Sequence, residues 1–187
     1  MDRLLLAYRS GIFPWSVNPI TWWCPDPRAI FRLDQLHVSR SLDTVIRQGR
    51  FEVTIDKAFA EVIAGCAETD LKRQSTWISQ EFIQAYVRLH RAGHAHSVEC
   101  WFEGKLAGGI YGVAVAGLFA GESMFHRTPN ASKVALYYLI QRLQGRGFSL
   151  FDIQMLTPFT QKMGAIHVSR DQYLEELKQA LEIDCRF

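Results

Sequence analysis

GGIYGVAVAGLFAGESMF, residues Gly108–Phe125, is the stretch that decides the fold of this chain. Apolar residues fill it almost without a break, and glycine and alanine interrupt it at short intervals. An unbroken apolar run bounded by turn residues is typical of strands covered on both faces, so we predict two adjacent strands of a buried sheet that turn at Gly117. Glu122 stands alone in this apolar setting, and a buried charge is costly unless it has a partner. We therefore expect a functional site around Glu122.

The sequence on either side of this stretch predicts a mixed sheet. His96–Phe102 predicts a strand that joins the first of the pair through a tight turn, which gives an antiparallel meander of three strands. Ala131–Gln144 predicts a long helix and Phe148–Gln154 a further strand, and a strand–helix–strand unit normally produces a parallel pair. The predicted fold class is therefore α+β, a mixed sheet flanked by helices. Acyltransferases of the N-acetyltransferase type are built this way, although fold alone does not prove function.

Composition narrows the class of protein. The 187 residues are enough for one domain or for a domain with a smaller appendage. A net charge of +2 does not argue for a nucleic-acid-binding surface, no apolar run is long enough to predict a membrane span, and the N-terminus lacks the order of a signal peptide. The cysteines are scattered singly, which predicts reduced thiols in a cytoplasmic protein rather than a zinc site. They are Cys24, Cys66, Cys100 and Cys185.

An acid and an amide lie together in the predicted strand FDIQ. Asp152 and Gln154 are two positions apart, so their side chains share one face of the strand. The pair could satisfy buried backbone groups, or it could belong to a site. Glu122, at the end of a neighbouring predicted strand, favours the site, because three polar groups would then converge in one apolar cavity.

Two tryptophans form a second candidate set. Trp15 lies on a predicted turn after Pro14 in GIFPWS, and Trp77 lies before a predicted helix that starts at Ser79. Tryptophan beside a loop is more often a packing residue, but two indoles could hold an unstacked nucleobase between them, and spacing alone does not choose. Basic residues that could then meet phosphates are Arg28, Lys72 and Arg73.

The sequence gives little evidence for a metal site. His90, His94 and His96 cross the end of a predicted helix and do not share one face, so capping and surface roles are favoured over metal ligation. The chain has no CxxC pair and no GxxxxGK[ST] phosphate loop. We therefore expect no metal site.

Five motifs of low-frequency residues, in one order, resemble a known family. The motifs are GIFPW, WWCPDPRA, ESMF, NASK and FDIQ, and the likeness includes TWI and LHRAGHAHSVE, so that it covers nearly the whole chain. They closely resemble the leucyl/phenylalanyl-tRNA–protein transferase family. The resemblance implies transfer of leucine or phenylalanine, with methionine as a further candidate, from aminoacyl-tRNA to a protein with N-terminal arginine or lysine. The product is a degradation signal of the N-end rule, and the reaction uses neither metal nor coenzyme.

The resemblance also implies roles for the candidate residues. Trp15 and Trp77 match the tryptophans that sandwich the 3′-terminal adenosine of the tRNA. Asp152 and Gln154 match the catalytic pair. Glu122 matches a functional glutamate, which can hold an ammonium group of either substrate. We expect these five side chains to surround one hollow.

Two further positions and a domain division follow from the resemblance. Ile110 and Phe119 match positions that help line a pocket for the apolar amino-acid side chain; isoleucine replaces a familiar methionine, which nearly conserves volume. Residues 35–187 match an N-acetyltransferase-like catalytic domain, and residues 1–34 match a reduced remnant of a small N-terminal domain with its linking loop. We expect a cytoplasmic monomer with no membrane partner.

Two other interpretations remain open. The chain could be another acyltransferase on the same fold that uses acetyl-coenzyme A or a peptidoglycan precursor, although Asn130–Lys133 makes a poor pyrophosphate loop. It could also be a non-catalytic RNA- or peptide-binding relic, which would keep the tryptophans but would not need Asp152 and Gln154.

Overall fold

The structure, a computed structural model, describes residues 2–17, 19–69 and 76–187. Lys72 and Arg73, and most of the polar loop predicted over residues 68–75, lie outside the described residues. Within these three ranges, no helix is both long enough and apolar enough to cross a membrane.

Helices and strands are mixed along the described chain. The helices are α1 (Asp2–Arg9), α2 (Arg40–Arg47), α3 (Phe59–Ala67), α4 (Gln80–Arg91), α5 (Ala131–Gly145), α6 (Pro158–Lys162) and α7 (Arg170–Leu181). The strands are β1 (Phe13–Val17), β2 (Ile20–Trp23), β3 (Arg28–Phe31), β4 (Glu52–Ile55), β5 (Ala95–Phe102), β6 (Lys105–Val115), β7 (Leu118–His126), β8 (Leu150–Gln154) and β9 (Ile166–Val168). A 3-10 turn spans Leu33–Gln35.

A seven-stranded sheet has the order β4-β5-β6-β7-β8-β3-β9. Its middle is the predicted meander β5–β6–β7, paired antiparallel. β7, α5 and β8 form the predicted strand–helix–strand unit, and β7 pairs parallel with β8. The predicted mixed sheet flanked by helices is therefore confirmed. Sequence analysis missed the edge strand β9, because three residues are too few to show a period.

Apolar clusters cover both faces of this sheet. One cluster packs α1, α3, α4 and α7 against the sheet, and the other packs α2 and α5. Tyr111 belongs to the first cluster and its neighbour Ile110 to the second, as the alternation of a strand requires. Coverage on both faces explains why Gly108–Phe125 is apolar almost throughout.

Three strands contain an extra residue where the candidate site residues lie. Trp15 in β1, Glu122 in β7 and Ile153 in β8 each lie between two paired residues and have no pairing partner of their own. Such β-bulges re-aim side chains and are common next to active sites. Trp15 thus lies inside the β1–β2 hairpin and not on the predicted turn; Pro14 is tolerated there because a two-stranded ribbon has open edges.

Candidate active site

The strands β7 and β8 separate where the candidate residues lie. They pair only over Leu118–Ala120 and Leu150–Asp152, although β7 continues to His126 and β8 to Gln154. The resulting gap is at the carboxyl end of a parallel pair, where ligands commonly bind in sheets of this kind.

A cavity of about 210 Å³ lies at this gap. Its wall includes Trp15, Trp77, Glu122 and Gln154, so four of the five side chains expected around one hollow come together. The rest of the wall is mostly apolar and is formed by Phe13, Pro14, Ile153, Met155 and Thr157. A mostly apolar cavity with a few convergent polar groups is typical of a small-ligand site.

Neutral groups hold the Glu122 carboxyl in this wall. Tyr8 Oη lies 2.8 Å from Oε1, Tyr86 Oη lies 3.0 Å from Oε2, and Gln154 Nε2 donates to Oε1 at 2.8 Å. Among the described residues, no lysine, arginine or histidine forms an ion pair with Glu122. Burial raises the pKa of Glu122 to about 7, against the opposing effect of the tyrosine hydrogen bonds. This carboxyl therefore changes its charge near neutral pH.

Asp152 lies behind the wall and does not line the cavity. Arg28 binds it through two hydrogen bonds, Nε to Oδ1 at 2.9 Å and Nη2 to Oδ2 at 2.6 Å, and Tyr173 Oη donates to Oδ2 at 3.0 Å. Arg28 and Asp152 are each 1% exposed. The structure thus differs from the expectation that Asp152 faces the hollow, because Arg28 and Tyr173 enclose it. Arg28, a candidate for phosphate contact, is enclosed with it.

Gln154 connects Asp152 to Glu122. Its backbone φ of +65° lies in the left-handed region that residues other than glycine seldom adopt, at a cost on the order of 1–3 kcal/mol. The Gln154 N–H donates to Asp152 Oδ1 at 2.8 Å, while Nε2 donates to Glu122. Asp152 therefore holds the backbone of Gln154. Glu122 binds Nε2, and this contact fixes the orientation of the whole side-chain amide, including Oε1.

Two braced indoles stand at the rim of the cavity. Trp15 is 42% exposed and Trp77 is 38% exposed. The ring of Trp15 stacks on Trp23 with centroids 4.9 Å apart, and Trp77 meets Phe82 edge to face at 5.3 Å. Each indole is held by a second aromatic ring and keeps enough exposed area to stack on a ligand.

Ile110 and Phe119 do not line this cavity. They are 4% and 1% exposed and belong to the apolar cluster packed on α5. Met124 pairs with Ile110 across β6 and β7, packs on the same cluster, and reaches a second cavity of about 510 Å³. The role of Ile110 and Phe119 in lining an amino-acid pocket stays a prediction.

Sequence analysis missed three of the residues that support the carboxyl groups, Tyr8, Tyr86 and Tyr173, and considered the fourth, Arg28, only for phosphate contact. Tyr86 lies four residues after Phe82 and three before Leu89, so it has the spacing of an ordinary buried helix face. A buried tyrosine hydroxyl usually needs a hydrogen-bond partner, and this requirement is the signal that could have singled out Tyr8 and Tyr86.

Comparison with known proteins gives the family. The protein-family model described as leucyl/phenylalanyl-tRNA protein transferase matches residues 30–178. The family model for the N-terminal domain of that transferase matches residues 1–26. The chain belongs to the leucyl/phenylalanyl-tRNA protein transferase family. It is therefore an enzyme, an aminoacyltransferase.

Curated members of the leucyl/phenylalanyl-tRNA protein transferase family match over nearly the whole chain. The member from Syntrophotalea carbinolica is 51% identical over 181 residues, which are 95% of this chain and 79% of the relative. The member from Gloeobacter violaceus is 47% identical over 100% of this chain and 96% of the relative.

Solved structures resemble this transferase at low identity. A conserved protein of unknown function from Bacteroides thetaiotaomicron has a TM-score of 0.53 at 13% identity, over 87% of this chain and 60% of that chain. A GCN5-related N-acetyltransferase from Kribbella flavida has a TM-score of 0.49 at 11% identity, over 87% of this chain and 58% of that chain. At such identities the first likeness concerns the fold alone.

Proposed function

We propose that this enzyme transfers leucine or phenylalanine from aminoacyl-tRNA to the N-terminal arginine or lysine of acceptor proteins and so creates a degradation signal. The observation that carries the proposal is the cavity, which has two exposed indoles at its rim and Glu122 with Gln154 in its wall. The family supports the reaction class, because its curated members are named for leucyl/phenylalanyl-tRNA and protein.

The indoles are suited to the end of the tRNA. Under this proposal the 3′-terminal adenosine stacks between Trp15 and Trp77, and stacking of a base on an aromatic ring contributes about 1–3 kcal/mol. Trp23 and Phe82 already hold the indoles in place, so less side-chain ordering is needed on binding. The aminoacyl ester on the ribose is then delivered to the cavity wall.

The reaction needs placement more than activation, because the ester of aminoacyl-tRNA is already reactive. The acceptor amine attacks the ester carbonyl carbon; the new C–N bond forms, the C–O bond to the ribose breaks, and a proton of the amine ends on the ribose oxygen. Gln154 Oε1 accepts a hydrogen bond from the amine and so orients its lone pair. Glutamine is too weak a base to remove the proton outright, so Gln154 is an orienting group.

Asp152 acts through Gln154 in this mechanism. Its carboxylate is enclosed by Arg28 and Tyr173 and accepts a hydrogen bond from the backbone N–H of Gln154, which lines the cavity. Of the predicted catalytic pair, the amide touches the substrates and the acid is a positioning residue. Glu122 holds an ammonium group beside them.

The proposal also covers the preferred amino acid, the cellular location, the oligomeric state and the domains of the enzyme. The leucine or phenylalanine side chain, or that of methionine, enters an apolar pocket for which Ile110 and Phe119 remain candidates, and such a pocket discriminates by about 1–3 kcal/mol per methylene. The enzyme acts as a cytoplasmic monomer. Its catalytic domain is residues 35–187 behind an N-terminal part of residues 1–34, and the latter provides β3 to the same sheet.

The test is transfer of radiolabelled phenylalanine from tRNA to a peptide with N-terminal arginine. A peptide that differs only by N-terminal alanine is the control. We expect label on the arginine peptide alone. No transfer, with a known family member active in parallel, would contradict the proposed reaction. Binding of tRNA without transfer would favour the relic, and acetylation by acetyl-coenzyme A would favour the other acyltransferase.

A further inference from the structure

A closed ring of oxygen contacts joins Glu122, which lines the cavity, to two tyrosines buried behind the wall. Tyr8 Oη and Tyr86 Oη are 2.6 Å apart, Tyr8 Oη is 2.8 Å from Glu122 Oε1, and Tyr86 Oη is 3.0 Å from Glu122 Oε2. All three distances lie in the range of O–H···O hydrogen bonds. The tyrosines are 2% and 0% exposed, so the ring partners come from the protein.

Each of these three contacts needs a proton of its own. The tyrosines provide two protons, because burial raises the pKa values of both hydroxyls well above their ordinary range. An ionised Glu122 provides none, so one contact would bring two oxygen lone pairs together. A neutral Glu122 provides the third proton: Tyr8 donates to Oε1, the Oε2–H donates to Tyr86, and Tyr86 donates to Tyr8. Oε1, then a carbonyl oxygen, also accepts from Gln154 Nε2.

Glu99 is a second buried carboxyl, and its neighbours provide enough donor protons for all of its hydrogen bonds. Thr54 Oγ1 donates to Oε2 at 2.6 Å and Ser97 Oγ donates to Oε1, while the Thr54 oxygen accepts from Trp101 Nε1 at 2.8 Å. The Ala58 N–H also donates to Oε1, at 3.4 Å. Each of these contacts is therefore satisfied by a proton of the neighbouring group, and no proton on the Glu99 carboxyl is needed. The proton count therefore distinguishes the two buried glutamates.

The charged surroundings leave burial as the deciding influence on Glu122. From α1 and α4 the facing titratable groups are the two ring tyrosines, and from β6 Tyr111 packs edge to face on Tyr86 at 5.6 Å. From β8 and β3, Asp152 raises the pKa of Glu122 and Arg28 lowers it. These two opposite charges are paired with each other at 2.6 Å, so their effects on Glu122 largely cancel.

We propose that Glu122 is a neutral carboxylic acid in the free protein and that it loses its proton when a cationic ammonium group enters the cavity. In that step the carboxyl O–H bond breaks, the proton leaves to solvent, and the carboxylate pairs with the ammonium; no bond to the ligand forms. The inference that Glu122 is neutral in the free protein depends only on the geometry of the ring. The identity of the cation, an aminoacyl or acceptor ammonium, rests on the proposed function.

Infrared difference spectroscopy of the ligand-free protein in D₂O tests the first half. Glu122→Gln is the variant, because the amide can donate to Tyr86 and accept from Tyr8 as the neutral acid does. We expect the wild type to show a protonated-carboxyl C=O band that E122Q lacks and that fades as pH rises through about 7. Glu99→Gln is the matched control and keeps the band. A wild-type spectrum without the band on the acidic side of neutral pH, or an unchanged band in E122Q, would overturn the proposal.

Calorimetry with puromycin, an aminonucleoside with an α-amino group, tests the second half. Binding is measured at about pH 6, where that amine is largely protonated, in two buffers with different heats of protonation. We expect release of up to one proton per site in the wild type and none in E122Q. Binding without release overturns the coupled ionisation. Absence of binding, with the infrared band present, contradicts the proposed function and the coupling but leaves the neutral carboxyl established.

Discussion

The two carboxyl groups of the site have opposite surroundings. Asp152 is enclosed by a cation, and Arg28 is itself packed between the rings of Phe13 and Tyr173 at 4.8 Å and 4.3 Å. Glu122 lines the cavity and is held by hydroxyl and amide groups. The enclosed half of the site is Arg28, Asp152 and Tyr173, and the open half is Trp15, Trp77, Glu122 and Gln154.

Because of this difference, we expect the two halves to have different roles in the site. The buried Arg28–Asp152 ion pair is held by two hydrogen bonds and enclosed by packed rings, so the enclosed half fixes geometry. The open half has exposed rings and a carboxyl that titrates near neutral pH, so it is suited to binding and release. Substitutions in the enclosed half should change stability and turnover. In the open half, substitutions of Trp15, Trp77 and Glu122 should change ligand affinity and pH dependence.

The largest effect is expected from Arg28→Met. Removal of the cation leaves Asp152 buried and uncompensated, which costs about 3–5 kcal/mol. The measurement is the free energy of unfolding in urea. Arg32→Met is the matched control, because the Arg32–Glu176 pair has similar distances but side chains 29% and 21% exposed, and it should cost less than about 1 kcal/mol. Equal costs for the two variants would remove the distinction between enclosed and exposed charge.

Asp152→Asn should lower turnover with little change in tRNA affinity. Loss of the charge weakens the hold on the Gln154 backbone, and a shift of about 1 Å at a reacting group costs roughly 100-fold in rate. Single-turnover transfer rates and tRNA binding are measured separately, with the exposed Asp171→Asn as control. An unchanged rate would exclude Asp152 from the mechanism, and a loss confined to binding would move it to the open half.

Trp77→Ala should weaken puromycin binding by about 1–3 kcal/mol and leave the free energy of unfolding nearly unchanged. Tyr138→Ala is a fair control, since Tyr138 is 39% exposed against 38% for Trp77 and lies on α5 away from the cavity. Equal affinity of the Trp77 variant and the wild type would assign Trp77 to packing alone.

The last expected effect concerns pH and develops gradually over more than two pH units. Burial raises the pKa of Glu122 from 4.5 to about 7, so between these values the folded protein holds a proton that the unfolded chain has lost. Stability from this group is full below the lower value and is lost as pH rises through the upper one, at no more than about 1.4 kcal/mol per pH unit. We expect the urea midpoint of the wild type to fall relative to Glu122→Gln from about pH 5 to about pH 7. A constant difference between the two proteins would contradict this.

The sequence was most informative where its signals are local. The apolar run Gly108–Phe125 and its turn residues predicted the meander, and the strand–helix–strand order predicted the parallel pair; both are confirmed. The motifs that carry Trp15, Trp77, Glu122 and Gln154 belong to separate segments, yet the structure brings these side chains to one cavity.

What the sequence could not provide depends on tertiary contacts. An extra residue in a strand leaves no mark in an apolar run, so the bulge at Glu122 was invisible. Arg28 looked like a surface cation in a proline-rich segment, and only the pairing of β3 with β8 places it beside Asp152. The titration of Glu122 near neutral pH arises from its burial, and the tyrosines that hold it, Tyr8 and Tyr86, come from two helices distant in sequence.

The position of β3 in the sheet has a consequence during translation. Arg28 and Asp152 are separated by 124 residues, and at about 5–20 residues per second β3 leaves the ribosome on the order of 10 s before its partner β8. All four residues of β3 are buried in the finished protein, so a nascent chain stalled between the two strands displays an orphan apolar segment to chaperones and proteases. The newly made enzyme acquires its active site only after the ribosome has passed β8.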